Sequence, residues 1–506
     1  MTALLPKRYA LPDNDRMVLT HFNIHIRPFL AWLLSAPLLF FCAESAFTQA
    51  LPAEVSAALA RAKVPPDAVG MLVSNALAEG KGVESVRLNH RADSAMNPAS
   101  VMKLVTTYAA LDLLGPAYTW STPVHLDGTV REGTLLGNVV VVGQGDPKLV
   151  LERLWLLLRR LQGLGVNHIA GDIVLDSSAF KLPDSDPAGF DGEPLRPYNA
   201  SPDALLINYK SVLMTFSPAT ASGTARVQYD PMLAGVHMQA TVPLLTGDCA
   251  DYRAALKPDL SDPLNFKFRG GYPASCLEKV WPVAYADPSN YAHRALQGMW
   301  QSMGGTLSGT VRSGTLPERL RTQAPAFEVT SATLGELVRD INKFSNNVMA
   351  QQVFLTLGRL FESKSAPQVG TFAASRAVLQ RWWTDRISAA GAPLLDNGSG
   401  LSRQERISAQ ALGQLLQVAY RSPNMPELMA SLPIAGVDGT LRRAKIRNSS
   451  SAHLKTGSLN NVVAVAGYVL GNSGKRYVLV ALINHPNANA ARPALEALVD
   501  WTAQDL

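Results

Sequence analysis

Cysteine is scarce, with three in 506 residues. There is no Cys-x-x-Cys pair and no Cys/His cluster at metal-ligand spacing, which excludes a zinc ribbon and a thioredoxin-like redox motif. Charge is thin too: Lys, Arg, Asp and Glu make up 17% of the chain, against 47% apolar residues. The net charge of +6 comes from scattered basic residues rather than a stripe. A nucleic-acid partner is therefore not expected, although a basic surface suits acidic polymers or peripheral contact with an anionic membrane. No internal repeat and no low-complexity tract is found. "VVGQGDPKL" has Gly143 and Gly145 but lacks the third glycine of a dinucleotide loop, and reads as a turn. "DNGSGLS" has no glycine two residues before Ser399, so it is not a nucleophile elbow. His453 reads as a strand-packing residue rather than a triad base.

The N-terminus reads as a leader. "RPFLAWLLSAPLLFFCAESAFTQA" puts Arg27 before an apolar run from Phe29 to Ala43, followed by small residues up to Ala50. Charged, apolar and small in that order is the pattern of a secretory signal, and the run is shorter than the roughly 20 residues of a membrane span. Cleavage is expected near Ala50, with Met17 as the start. Phe40 and Phe41 ahead of Cys42 speak against a lipoprotein signal. Export into an oxidising compartment then favours a disulfide between Cys249 and Cys276, worth about 3–4 kcal/mol by loop entropy.

The mature chain is long enough for two or three domains. A short helix over Leu51–Lys63 precedes strands at Gly70–Ala76 and Val83–Asn89. "NPASVMKLVTTYAALDLLGP" reads as a helix with Asn97 as N-cap, Pro98 at the first position and Gly115-Pro116 as the stop. From Ser121 the chain turns β-rich, and from about Thr330 it is helical again. "NVVAVAGYVL" and "RYVLVALIN", joined by "GNSGK", read as an antiparallel hairpin, and a last helix closes the chain. The expected organisation is a leader and extension (1–50), then a catalytic domain (51–120 and 326–506) split by inserted β-rich domains (121–325). The N-terminal strands are expected to pair with the C-terminal hairpin.

The chemistry is expected in three places. A serine hydroxyl attacks only when a base takes its proton. Lys103, three residues after Ser100 on one helix face, suits that task if burial or a second cation lowers its pKa. A lone Ser-x-x-Lys is weak. "FSNN" adds Ser345 and Asn347, and "HLKTGSLNN" adds Lys455, Thr456 and Gly457, which completes Ser-x-x-Lys, Ser-x-Asn and Lys-Thr-Gly in that order. Ser345 can relay a proton, Asn347 can hold Lys103 and a substrate amide, and Lys455 can depress Lys103 and attract a carboxylate. Thr456 can bind that carboxylate, and Gly457 can admit a substrate backbone to the strand edge. The N–H groups of Ser100 and Ser458 are the expected oxyanion hole.

With "RPYNASPDALLINY", "DNGSGLSRQERIS" and "LPIAGVDGTLRR" added, nearly the whole mature chain resembles the penicillin-binding D-alanyl-D-alanine carboxypeptidase/endopeptidase family of the DacB type. The long gap between Ser100 and Ser345 also fits that family, in which large domains are inserted there. The resemblance implies an α+β fold, with a penicillin-binding transpeptidase/β-lactamase-like domain whose antiparallel sheet is flanked by helices. It further implies a periplasmic enzyme, an acyl-enzyme on Ser100, peptidoglycan peptides as substrates, β-lactams as covalent inhibitors, and no metal or organic cofactor. In relatives an acidic and an aromatic residue of the insert read the amine of diaminopimelate. Here Tyr198 with either Asp191 or Glu193 occupies that neighbourhood. A serine β-lactamase and a non-catalytic cell-wall-binding relative are the alternatives. The motifs leave oligomeric state open.

Overall fold

The structure is a computed structural model that describes residues 50–77, 86–363, 367–388, 391–447 and 451–505. The expected leader and most of the turn after the first strand lie outside the described residues. Among the described residues, no helix is long and apolar enough to cross a membrane.

Both ends of the chain build one five-stranded antiparallel sheet. Its order is Val86–His90, Val69–Asn75, Arg476–Asn484, Val462–Leu470, Ala452–Leu459. The C-terminal hairpin is as expected, and its second strand pairs with Val69–Asn75, the first strand among the described residues, Val69 facing Ile483. The apolar runs are unbroken because both faces of the sheet are covered. Val478, Val480 and Leu482 enter one core, packed by helices Lys103–Leu114, Leu334–Phe344, Asn347–Phe361 and Ala409–Tyr420. Leu479, Ala481 and Ile483 enter the other, under helices Ala53–Arg61 and Arg492–Ala503. The strand period of two thus sorts neighbouring residues into separate cores.

Between these parts lies a β-rich region with its own core, running from Val124 to Phe327. One sheet is built around Ser121–Arg131 and Thr134–Val142, and strand Phe327–Thr330 returns to pair with the former. A second five-stranded sheet contains Ser211–Ala219, Thr224–Asp230 and Lys279–Ala284. Cys249 and Cys276 are joined as a disulfide beside it.

The turn that carries Ser100 differs in detail from the sequence expectation. Asn97 is not the N-cap: its Oδ1 accepts from the Ala99 N–H at 2.8 Å, and Pro98 stands at the N-cap position rather than as the first helical residue. Ala99–Met102 form a 3₁₀ turn, and the α-helix proper starts at Lys103. In a 3₁₀ turn residues i and i+3 eclipse rather than stagger, which brings Ser100 and Lys103 together more directly than an α-turn would.

Candidate active site

Three segments converge on Lys103, a fully buried lysine. Its Nζ lies 3.0 Å from Ser100 Oγ, 2.6 Å from Asn347 Oδ1 and 2.5 Å from the Ser399 carbonyl. Those acceptors favour the ammonium. Burial, and next the charge of Lys455, work against it, with Glu405 opposing them, and the net effect holds the Lys103 pKa well below that of an ordinary lysine.

The Ser-x-Asn segment is a joint between helices. Ser345 ends helix Leu334–Phe344 in the left-handed region (φ 57°), Asn346 caps the next helix through the Met349 N–H, and Asn347 is that helix's first residue. Asn347 Nδ2 donates to the Tyr198 carbonyl at 3.0 Å, so one of its two N–H donors is used within the protein. Ser345 Oγ takes a bond from Lys455 Nζ at 2.9 Å rather than from Lys103. Lys455, also fully buried, donates in addition to the Thr456 carbonyl at 2.8 Å, and burial lowers its pKa to about 7.

Lys455 to Ser458 lie on the edge strand of the sheet. Thr456 shares a hydrogen bond with Thr440 at 2.7 Å, and Arg492 donates to Ser458 Oγ at 2.8 Å. Gly457 has a tighter reason to be glycine than the one read from sequence. A Cβ there would sit 2.4 Å from the Pro98 carbonyl and 3.2 Å from Ser100 N. The missing side chain lets the strand meet the turn that carries Ser100. His453, on the same strand, is half-buried, and its Nδ1 has no hydrogen-bond partner.

Sequence reasoning missed the loop beneath Lys103. Gly398 and Ser399 present carbonyls to Thr106 Oγ1 (2.6 Å) and Lys103. Gly400, at φ 80°, allows that loop to touch the Ser100 turn, since a Cβ there would lie 2.0 Å from the Ala99 carbonyl. The loop is gathered by Glu405, which is fully buried. Its Oε1 accepts from the N–H groups of Asp396, Asn397 and Gly398 at 3.2, 3.3 and 3.0 Å, while Oε2 has no partner. Backbone carbonyls leave no side-chain signature. "DNGSGLSRQERIS" holds the glycines and the glutamate, but nothing in it says that they serve Lys103.

Burial lifts the Glu405 pKa from 4.5 to about 7, against the three N–H bonds that favour its charge. A carboxyl with a raised folded pKa binds more protons folded than unfolded between those two values. Its contribution to stability is therefore lost as pH rises from about 4.5 to about 7. Glu405→Gln keeps an acceptor for the loop but cannot ionise. Melting measured across that range should show the wild type losing stability relative to the variant as pH rises. Parallel curves would rule out ionisation of Glu405 in the fold.

The insert brings Tyr198 to the same place. Tyr198 Oη donates to Asp191 Oδ2 at 2.8 Å, and Asp191 Oδ1 accepts from Asn199 at 2.8 Å. Burial works to raise the Asp191 pKa, but bonds from Tyr198, Asn199 and the Glu193 N–H outweigh it and hold the carboxyl below its usual range. The Tyr198 hydroxyl is pushed up to about 12, by burial and then by Asp191. Glu193 is engaged instead by Arg196, at 3.3 Å.

The family described as D-Ala-D-Ala carboxypeptidase 3 (S13) matches the chain over residues 51–505. The D-alanyl-D-alanine carboxypeptidase DacB of Haemophilus influenzae is 26% identical over 406 residues, covering 78% of this chain and 82% of that one. A D-alanyl-D-alanine carboxypeptidase of an Actinomadura species is 26% identical over 415 residues, 79% of this chain and 75% of its own. The crystal structure of penicillin-binding protein 4 (dacB) from Haemophilus influenzae superposes with a TM-score of 0.67 at 22% identity, covering 88% of this chain and 99% of that one. The same protein has also been solved with a β-lactam. With the family match spanning residues 51–505, the protein belongs to the D-Ala-D-Ala carboxypeptidase 3 (S13) family and is a serine-type D-Ala-D-Ala peptidase.

Proposed function

We propose that Ser100 is the acylated nucleophile and Lys103 its base, in a periplasmic enzyme acting on peptidoglycan stem peptides. The observation that carries this is Ser100 Oγ at 3.0 Å from a lysine Nζ that is wholly buried. Neutral Lys103 takes the hydroxyl proton as Oγ bonds to the carbonyl carbon of the penultimate D-alanine. The N–H groups of Ser100 and Ser458 hold the oxyanion. The C–N bond breaks, and the proton passes to the departing amine through Ser345, whose Oγ is positioned by Lys455. Water then adds its oxygen to the acyl carbon and returns a proton to Ser100. Lys455 and Thr456 attract the terminal carboxylate. β-Lactams acylate Ser100 as substrate mimics.

In this reading residues 121–325 are an insert in a catalytic domain made of 51–120 and 326–506. Asp191, oriented by Tyr198, is the acid that reads the side-chain amine of diaminopimelate on the acyl side. The enzyme then acts both as a carboxypeptidase and as an endopeptidase on cross-links. The test is labelled penicillin followed by mass analysis of products from a D-Ala-D-Ala peptide and a cross-linked muropeptide. A covalent adduct on Ser100, absent in Ser100→Ala, is expected, with release of D-alanine and cleavage of the dimer. An unlabelled wild type would overturn the assignment, and rapid release of hydrolysed penicillin would favour a β-lactamase.

A further inference from the structure

The loop "LPIAGVDGTLRR" lies outside the three motifs, yet the structure ties it to two of them. The Leu454 N–H donates to the Pro433 carbonyl at 2.9 Å and the Ala435 N–H to the Ala452 carbonyl at 3.0 Å, so the loop starts against the beginning of the edge strand. Asp438 then fastens it. One carboxylate oxygen accepts from the Ile434 N–H at 2.8 Å. The other lies 2.6 Å from Nζ of Lys343, a buried lysine two residues before Ser345. Gly439, at φ 55°, lets the chain turn hard against that helix end, since a Cβ there would lie 2.6 Å from the Lys343 carbonyl. The next residue is Thr440, and its Oγ1 lies 2.7 Å from Thr456 Oγ1.

Thr440 also lines a cavity of about 430 Å³ that begins at Ser100 and Ser345 and runs past Thr456 and Ser458 to the last helix, Arg492–Ala503. The two hydroxyls therefore meet at the wall of the site, and either oxygen can be the donor. A hydroxyl has one proton to give and two lone pairs with which to receive. If Thr456 gives its proton to Thr440, it turns only lone pairs toward the cavity and repels a carboxylate. If Thr440 is the donor, Thr456 keeps its proton for the substrate. An arriving carboxylate selects the second arrangement, because a hydrogen bond to a charged acceptor is roughly twice as strong as one between neutral groups. The Thr440 proton then polarises the Thr456 hydroxyl, since successive hydrogen bonds strengthen one another.

We propose that Thr440 is a positioning residue for recognition of the substrate's terminal carboxylate. It fixes Thr456 Oγ1 and donates to it, which leaves the Thr456 proton for the carboxylate. Asp438 and Gly439 hold Thr440 from the Ser345 side, so one loop sets the spacing between the Ser-x-Asn corner and the Lys-Thr-Gly strand. The proposal rests on the reading of Thr456 as the carboxylate's partner and assigns a residue that none of the three motifs contains.

Two activated thioesters with the same D-alanyl acyl half test it. One has a thioglycolate leaving group, which carries a carboxylate, and the other has the neutral amide of that group. Thr440→Val keeps the shape of the side chain and removes the hydroxyl, whereas Thr440→Ser keeps the hydroxyl. Thr440 is exposed, so neither variant disturbs a core. In Thr440→Val, kcat/KM is expected to fall about tenfold for the carboxylate substrate, the scale of one hydrogen bond to a charged group. It should stay within about twofold for the neutral substrate, and Thr440→Ser should match the wild type on both. An equal fall on both substrates would make Thr440 merely structural and overturn the proposal. So would a valine variant unchanged on both, or a serine variant as impaired as the valine one. A wild type that does not prefer the carboxylate substrate overturns the reading of Thr456, and one that forms no penicillin adduct overturns the catalytic reading, which separates the failures.

Discussion

Lys103→Met should slow penicillin acylation about a thousandfold, within the range expected for loss of a general base, while the protein still melts cooperatively within a few degrees of the wild type. The rate falls because Ser100 Oγ loses its proton acceptor at 3.0 Å. Stability is spared by opposing terms. The substitution leaves Asn347 Oδ1 and the Ser399 carbonyl without the donor they now share, which costs on the order of 1–3 kcal/mol for each buried group. It also removes an amine whose charge burial penalises, and fills the space with a side chain of similar length. Stopped-flow acylation and thermal melting on the same samples check both halves. Wild-type acylation would remove Lys103 from the mechanism. A collapsed melt would make its role structural.

Gly457→Ala is the second large effect expected, from a single methyl. The new Cβ would meet the Pro98 carbonyl at 2.4 Å and the Ala99 Cβ at 3.1 Å. Neither neighbour is a flexible side-chain tip, so one backbone must move. The strand is at the sheet edge and has a free side to yield toward. A shift there carries Thr456 and Ser458 away from Ser100, and misplacement of about 1 Å can cost a hundredfold in rate. Acylation should therefore fall at least a hundredfold, with far-ultraviolet circular dichroism unchanged. A loss of less than threefold would mean that the strand and turn do not need this approach.

The contrast between Gly457 and Glu405 shows what was legible in the sequence. Ser100, Lys103, Ser345, Asn347 and Lys455 were readable because each spacing carries a mechanism, and the structure brings all five together. The sheet was readable because "RYVLVALIN" and "NVVAVAGYVL" are unbroken apolar runs between their polar ends, as strands covered on both faces must be. Glu405 was not. Its partners are backbone N–H groups of a loop seven to nine residues earlier, and its burial depends on the core formed around it. The 3₁₀ turn at Ala99 was also hidden, since Asn-Pro serves equally well ahead of an ordinary helix. The cavity beyond Ser458 depends on where the last helix crosses the sheet, which no local pattern encodes.

The pairing of Val69–Asn75 with Arg476–Asn484 has a consequence for synthesis. The first of these strands emerges early and must wait for nearly the last strand of the chain. The middle region, whose core closes between Val124 and Phe327, has all its partners well before then. Contacts of such long sequence separation form slowly, and domains with complete local cores fold first. The order of assembly is thus set by the thread. The interrupting region matures while the catalytic half is still open, with Lys103 and Lys455 both in water and at ordinary basicity. A chain cut short between Ser458 and Arg476 would carry every residue of the three motifs and still lack the middle of the sheet on which they meet. The site closes only when the chain is all but complete, a timing device that needs no separate inhibitor.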